Sequence, residues 1–247
     1  VGNAASTSQS NNTVTLNDKT APTITSFSST TTNGSYNAGD TINITATTSE
    51  SIQSGNTITV TLDTGDTVVL TAASAGTTLT GTYTVGAGDT SSDLTVSSFA
   101  IGTVADAAGN AMTSTAVPSG SNNLGGSSAI VIDTTAPAIT GTTVTSNNAS
   151  IAVTFSEAVY NTSGGSGALE ASDFTLTLSG GTATLASATP SSISSSSNTY
   201  TLGLSLSGTP NGSETITVVP SSSTAIYDAV GNAASTSQSN NTVTLND

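Results

Sequence analysis

The chain has 247 residues, of which only 6% are charged, and 15 acidic residues against one basic residue give it a formal charge of −14. Nucleic acids and anionic membranes are therefore poor partners, because affinity for either depends on Lys and Arg side chains that neutralise phosphates or headgroups. The chain has no His and no Cys, which excludes disulfides and the serine and cysteine catalytic triads.

The chain begins with an exact internal repeat. Its first residues, VGNAASTSQSNNTVTLND, return unchanged as residues 230–247, so the long period is 229 residues. Self-similarity at a fixed period is typical of tandem arrays, and we expect the chain to be part of a longer repeating polypeptide. Residues 1–18 are then the terminal strand of a preceding repeat. Such a strand is expected to be disordered or to pair with another molecule.

A shorter period lies inside the long one. The segment DKTAPTIT begins at Asp18, DTTAPAIT begins at Asp133, and Asp247 stands at the next equivalent position, so the spacings are 115 and 114 residues. Units of this length match the common size of a protein domain. The repeats therefore predict one domain at 19–133 and a second at 134–247.

Runs in which every second residue is apolar or β-branched predict strands along both domains. Clear examples are 41–50 and 57–62 in the first domain and 150–155 in the second. The sequence DTGD at 63–66 predicts a hairpin turn between two such runs. About seven short strands per domain predict an all-β fold, made of tandem immunoglobulin-like antiparallel β-sandwich domains.

Three acidic positions recur in the same order in the two predicted domains. They lie at the start of the first strand, after the second strand, and in an Asp-x-x-Gly-Asn turn before the last strand. In an immunoglobulin-like sandwich these places lie at the same pole, so the carboxylates are expected to converge. The sets are Asp18, Glu50 and Asp106 in the first domain and Asp133, Glu157 and Asp228 in the second.

Converging carboxylates repel one another unless a cation neutralises them. In a chain without His or Cys the ligands are oxygens, and Ca²⁺ accepts irregular loop geometry more readily than Mg²⁺. We therefore predict a structural calcium ion in each domain, with Asn110 and Asn232 at the ends of the two turns as further ligands. The alternative is that the aspartates only cap their turns by accepting backbone N–H bonds.

The DKTAP and DTTAP junctions, the FSEAV segment and the DAAGN and DAVGN turns together resemble bacterial immunoglobulin-like repeats, which occur in tandem in giant extracellular adhesins and surface fibres. The resemblance implies an extracellular, cell-surface location and calcium ions that stiffen domain junctions, held by the acidic sets named above. The first domain departs from the pattern, because it has TTSESI where the second has TFSEAV and Lys19 where the second has Thr134.

We expect the chain to be a structural extender that holds another domain away from the cell and whose partners are neighbouring repeats of the same polypeptide. One alternative is a repeat of a self-assembling filament or surface layer, which requires lateral self-association. A second is a carbohydrate- or protein-binding adhesive module. Catalysis is not expected, because the chain lacks His and Cys for nucleophile activation and lacks Trp as a platform for sugars. No apolar run is long enough for membrane insertion.

Overall fold

The computed structural model describes residues 17–247 of the chain. Strands make up 44% of it and helices 4%, which confirms the predicted all-β fold class. The predicted terminal strand at residues 1–18 lies outside the described residues, apart from its last two positions. Within residues 17–247, no helix has both the length and the apolar character needed to cross a membrane.

The strands of the described chain are short and are numbered in chain order. They are β1 (Ile24–Ser28), β2 (Gly34–Tyr36), β3 (Thr41–Ile52), β4 (Thr57–Leu62), β5 (Thr67–Thr71), β6 (Gly76–Thr84), β7 (Thr90–Ser91), β8 (Val96–Thr103), β9 (Ile130–Asp133), β10 (Ile139–Val144), β11 (Ser150–Phe155), β12 (Phe174–Ser179), β13 (Thr184–Leu185), β14 (Ile193–Ser196), β15 (Thr199–Gly203), β16 (Leu206–Ser207), β17 (Thr215–Pro220) and β18 (Thr242–Thr244). One helical turn, α1 (Leu124–Ser127), and two 3₁₀ turns, at Gly120–Asn122 and Ala171–Asp173, complete the elements.

The chain forms two compact units. Unit 1 contains the residues up to Asn33 together with Thr41–Tyr83 and Asp93–Ala129, and unit 2 contains Gly34–Asp40, Thr84–Ser92 and Ile130–Asp247. The domain boundaries drawn from the repeats, 19–133 and 134–247, stay a prediction. The compact units differ from them because three short pieces of the first repeat cluster with the second.

Unit 1 contains one large sheet. Its six strands lie in the order β1-β3-β6-β5-β4-β8, and β1 with β3, β4 with β5, β5 with β6 and β4 with β8 are antiparallel pairs. In β4 the three aliphatic side chains are buried and the three threonines are only partly buried, as the alternating sequence predicts. Gly65, with a φ of 96°, turns the chain between β4 and β5, which is the predicted hairpin.

Unit 2 contains a β-sandwich. One sheet has the strand order β10-β11-β15-β14 and a second has β12-β17-β18, with antiparallel pairing throughout both. Both sheets contribute side chains to one buried core. Within it the rings of Phe155, Phe174 and Tyr200 pack with centroids 5.9 to 6.3 Å apart. Burial of one face of each sheet against the other is what stabilises this arrangement.

Two smaller sheets complete unit 2. Strands β13 and β16 form a two-stranded antiparallel ladder. Strand β9 lies between β2, which runs parallel to it, and β7, which runs antiparallel. This three-stranded sheet explains why the pieces of the first repeat around β2 and β7 cluster with unit 2, since both are hydrogen-bonded to β9.

Candidate metal sites

Three acidic side chains of unit 2 meet in a cluster that we call site 2, formed by Asp133, Glu157 and Asp228. Asp133 is the last residue of β9, Glu157 lies two residues beyond β11, and Asp228 lies in the loop between β17 and β18. Each offers a carboxylate oxygen within 4.8 Å of those of the other two. The structure thus brings together the three residues that the sequence placed at one pole.

Unit 1 contains an equivalent cluster, site 1, formed by Asp18, Glu50 and Asp106. Glu50 lies near the end of β3, and Asp106 lies three residues beyond β8, where it forms a β-bridge with Ile52. The three carboxylates again lie within 4.8 Å of one another. Site 1 keeps this geometry although its sequence departs from that of site 2, and the side chain of the neighbouring Lys19 is exposed.

The aspartate of each Asp-x-x-Gly-Asn turn is buried and organises the turn around itself. In site 2, Asp228 is completely buried, and its Oδ1 accepts hydrogen bonds from the N–H groups of Val230, Gly231 and Asn232 at 2.9, 2.7 and 2.8 Å. Gly231 has a φ of 100°, a conformation that a residue with a side chain rarely adopts. The sequence of the turn therefore fixes where this carboxylate points.

The asparagine that ends each turn ties the turn to the first aspartate of its site. The side-chain Nδ2 of Asn232 donates to Oδ2 of Asp228 at 2.7 Å and to the main-chain oxygen of Asp133 at 3.0 Å. Asn110 makes the equivalent two bonds in site 1, at 2.7 and 3.1 Å. The Nδ2 atom of each asparagine therefore faces the protein. If the asparagines bind a metal ion as predicted, they do so through their Oδ1 atoms.

A serine before each glutamate has a positioning role that the sequence analysis missed. The hydroxyl of Ser49 accepts a hydrogen bond from the N–H of Thr23 at 3.0 Å, and the hydroxyl of Ser156 accepts one from the N–H of Ala138 at 3.1 Å. In both units the bond fixes the chain just after the first aspartate of the site. The Ser-Glu dipeptide common to the two repeats is the signal that marks this role.

Turn capping explains the aspartates of the turns but not the glutamates. In site 1, Oε1 of Glu50 is buried and has no hydrogen-bond partner, and it is the one such side-chain atom among the residues that the structure describes. A buried carboxylate oxygen without a partner is costly. A cation held between the three carboxylates would supply the missing interaction.

The electrostatics of the two sites are alike. Burial raises the pKa of Glu50 above its ordinary value, and the charges of the other two carboxylates of site 1 raise it further. In site 2 burial is again the main cause that raises the pKa of Glu157, followed by the charges of Asp228 and Asp133. For Asp106, burial opposes ionisation, but hydrogen bonds from Asn110, Gly109 and Ala108 outweigh it and lower the pKa. Site 1 therefore pairs an aspartate whose pKa is lowered with a glutamate whose pKa is raised.

Another buried carboxylate, which the sequence analysis missed, lies elsewhere in unit 2. Glu214 is completely buried, and it accepts backbone N–H bonds from Thr182, Ala183 and Asn211 at 2.7, 3.0 and 2.9 Å. The N–H of Ala183 is the largest influence that lowers its pKa, to about 2. Because these donors satisfy the carboxylate, its role is to hold two loops together rather than to bind a ligand.

Comparison with known proteins leaves the function to be argued from this geometry. No protein-family model matches the chain, and no curated protein is significantly similar to it. What the two sites provide chemically is a set of three carboxylates without nitrogen or sulfur ligands. Such a set suits a hard divalent cation that takes oxygen ligands.

Proposed function

We propose that sites 1 and 2 bind Ca²⁺ and that the chain is a structural extender, built from immunoglobulin-like repeats of a bacterial cell-surface adhesin. The observation that carries the proposal is the same acidic triad in both units, with one glutamate oxygen buried and without a partner in site 1. A carboxylate triad that served only to cap turns would not need a glutamate at that position.

Calcium is the ion that best fits the ligands. All the carboxylates come from loops or strand ends, which gives an irregular set of oxygens, and Ca²⁺ accepts six to eight such ligands at variable angles. Mg²⁺ requires a nearly regular octahedron and gives up its water reluctantly. Main-chain carbonyls and water would complete the coordination in either site.

The position of the sites explains how calcium would stiffen the chain. Asp18 and Asp133 stand where the chain enters each repeat, and the other carboxylates come from loops or strand ends of the same unit. A bound ion would therefore hold the entering chain against the body of the unit, in addition to the asparagine and serine bonds. Pro22 and Pro137, four residues further along, limit the same segment by fixing φ.

The test is differential scanning calorimetry of the full chain, first in chelator and then at rising Ca²⁺ concentration. At 100 times the dissociation constant, binding adds about 2.7 kcal/mol to the free energy of unfolding, which raises Tm by roughly 10 °C for a unit of this size. Glu50→Gln and Glu157→Gln should each remove the increase for one unit. Asp247→Asn is the matched control, because it removes an exposed acidic group outside both sites. The Tm of this variant should still rise with Ca²⁺ in both units.

A melting temperature that does not respond to Ca²⁺ would overturn the calcium sites and with them the stiffened extender. A response that survives Glu50→Gln combined with Glu157→Gln would place the ion elsewhere. A response to Mg²⁺ equal to that to Ca²⁺ would contradict the choice of ion but keep the sites.

A further inference from the structure

The loop that leads to Glu214 contains an exposed Asn-Gly pair. Asn211 and Gly212 lie between β16 and β17, and both are exposed. Gly212 has a φ of 78°, a conformation that favours glycine over residues with a side chain. The pair is nevertheless tied to the buried carboxylate of unit 2, because the N–H of Asn211 donates to Oε2 of Glu214 at 2.9 Å.

The side chain of Asn211 bends back over the residues that follow it. Its Oδ1 accepts a hydrogen bond from the N–H of Ser213 at 3.1 Å, which brings the side-chain amide alongside the peptide bond to Gly212. This hydrogen bond also withdraws electrons from Cγ of the amide. Within residues 17–247, the N–H of Gly212 donates no hydrogen bond, and glycine has no side chain that would shield it. The nitrogen of Gly212 is therefore an accessible nucleophile beside an activated amide.

The other Asn-Gly pair of the sequence, Asn33 and Gly34, is held differently. Oδ1 of Asn33 accepts a hydrogen bond from the N–H of Ala129 at 2.9 Å, across 96 residues of sequence. Gly34 begins β2, where it is paired with Ile130 of β9. Long-range contacts therefore restrain both residues of this pair, whereas the hydrogen bonds of Asn211 are made within its own loop.

We propose that Asn211 is a site of spontaneous deamidation, for which the chain itself supplies the nucleophile and water is the co-reactant. The main-chain nitrogen of Gly212 attacks Cγ of Asn211, the Cγ–Nδ2 bond breaks, and ammonia leaves with the proton of the attacking N–H. Water then opens the succinimide ring that has formed. Cleavage at Cγ gives aspartate, and cleavage at the main-chain carbonyl gives isoaspartate, in which the main chain runs through the former side chain.

Either product should loosen the hold of this loop on Glu214. Isoaspartate lengthens the main chain by one methylene between the N–H of residue 211 and Glu214, so the hydrogen bond that joins them is displaced. Aspartate keeps the length of the chain but adds a second carboxylate near that of Glu214, and like charges repel. Because the burial of Glu214 depends on its N–H donors, the reaction should destabilise unit 2 as it proceeds.

The test is incubation of the full chain in chelator at mildly alkaline pH, followed by digestion of samples with pepsin and mass spectrometry of the fragments. The fragment that contains Asn211 should gain the mass of an amide-to-carboxylate conversion several times faster than the fragment that contains Asn33. In denaturant the two pairs should convert at similar rates, because the contacts that restrain Asn33 and Gly34 are then lost. Calorimetry of the same samples should show the transition of unit 2 moving to lower temperature as residue 211 converts.

Two matched variants separate the reaction at Asn211 from other chemical changes during the incubation. Asn211→Gln keeps an amide but requires a larger ring, which closes more slowly, so the Tm of unit 2 should stay constant. Asn33→Gln makes the same change in the other pair and should leave the loss of Tm unaltered. The proposal is overturned if the folded chain converts Asn33 as fast as Asn211, if conversion leaves the Tm of unit 2 unchanged, or if the loss persists in Asn211→Gln. None of these outcomes bears on the calcium sites, since the incubation is carried out in chelator.

Discussion

The side-chain amide of Asn232 lies 3.0 Å from the main-chain oxygen of Asp133, to which it donates a hydrogen bond across 99 residues of sequence. The same nitrogen donates to Oδ2 of Asp228. One side chain thus joins the start of the repeat to the turn near its end without any metal ion. The asparagine therefore acts on the same segment as the cation that we propose for site 2.

Replacing this asparagine should therefore destabilise unit 2 even in chelator. Asn232→Ala removes two hydrogen bonds, one of them to the carboxylate of Asp228, and should lower the free energy of unfolding by about 2 to 4 kcal/mol. Chemical denaturation of the full chain in chelator measures the loss. Asn110→Ala should have the corresponding effect on unit 1. Unfolding curves equal to that of the unsubstituted chain would contradict a role for the asparagines in holding the chain.

The affinity of the sites for Ca²⁺ should fall as the pH is lowered, because protons bind to the two glutamates. The pKa values of Glu50 and Glu157 are raised by burial and by the neighbouring carboxylates, so protons compete with Ca²⁺ at a pH above that typical of an exposed glutamate. Below the raised pKa the dissociation constant should rise roughly tenfold per pH unit for each proton displaced. Titration calorimetry at a series of pH values between 7 and 4 measures it.

The contribution of site 2 to the stability of the metal-free chain should have the opposite dependence on pH, since it is lost as the pH rises. A glutamate whose pKa is higher in the folded than in the unfolded state contributes stability below the unfolded value of 4.5, and that contribution is lost as the pH rises through the folded pKa. In chelator, Glu157→Gln should therefore raise Tm at neutral pH relative to the unsubstituted chain and remove this part of the pH dependence. A variant that melts below the unsubstituted chain at neutral pH in chelator would contradict repulsion within site 2.

Much of this architecture is predictable because it depends on local periodicity and on repeated spacing. The alternation that predicts 57–62 gives β4 directly, and the two acidic triads follow from motifs that occur twice in the same order. Helix α1 has no such signal, because a single turn with the sequence LGGS, capped by Asn123, is too short to show helical periodicity. Strand β2 is also too short to alternate, and its parallel pairing with β9 joins residues almost 100 positions apart.

The buried Glu214 was not predictable for a different physical reason. Its partners are main-chain N–H groups, and a backbone donor leaves no mark in the sequence. The segment NGSE reads only as a turn followed by a strand. The serines of sites 1 and 2 were missed for a related reason, since the groups that they bind are also main-chain N–H groups.

The carboxylate of Glu214 should make unit 2 sensitive to acid. Its pKa is about 2 in the folded chain against 4.5 as an ordinary value, so the stability that it contributes is present above pH 4.5 and is lost as the pH falls towards 2. In Glu214→Gln an amide NH₂ replaces a carboxylate oxygen that faces N–H donors. We expect Tm to fall by roughly 5 °C or more at pH 7. Between pH 4.5 and 2, the Tm of the variant should change less with pH than that of the unsubstituted chain. Thermal melts monitored by circular dichroism across this range check both features.

The loop that faces Glu214 should tolerate no side chain at Gly181. This glycine has a φ of 59°, and a Cβ placed on it would overlap the carboxylate of Glu214. Gly181→Ala should therefore destabilise unit 2 by about 1 to 3 kcal/mol. It should also reduce the dependence of Tm on pH between 4.5 and 2, because the carboxylate of Glu214 must move away from its donors. Gly141→Ala is the matched control in the same unit, since a Cβ there meets no atom within 4 Å and the φ is not in the left-handed region. Equal unfolding midpoints for the two variants in denaturant would show that the loop can shift without breaking the contacts of Glu214.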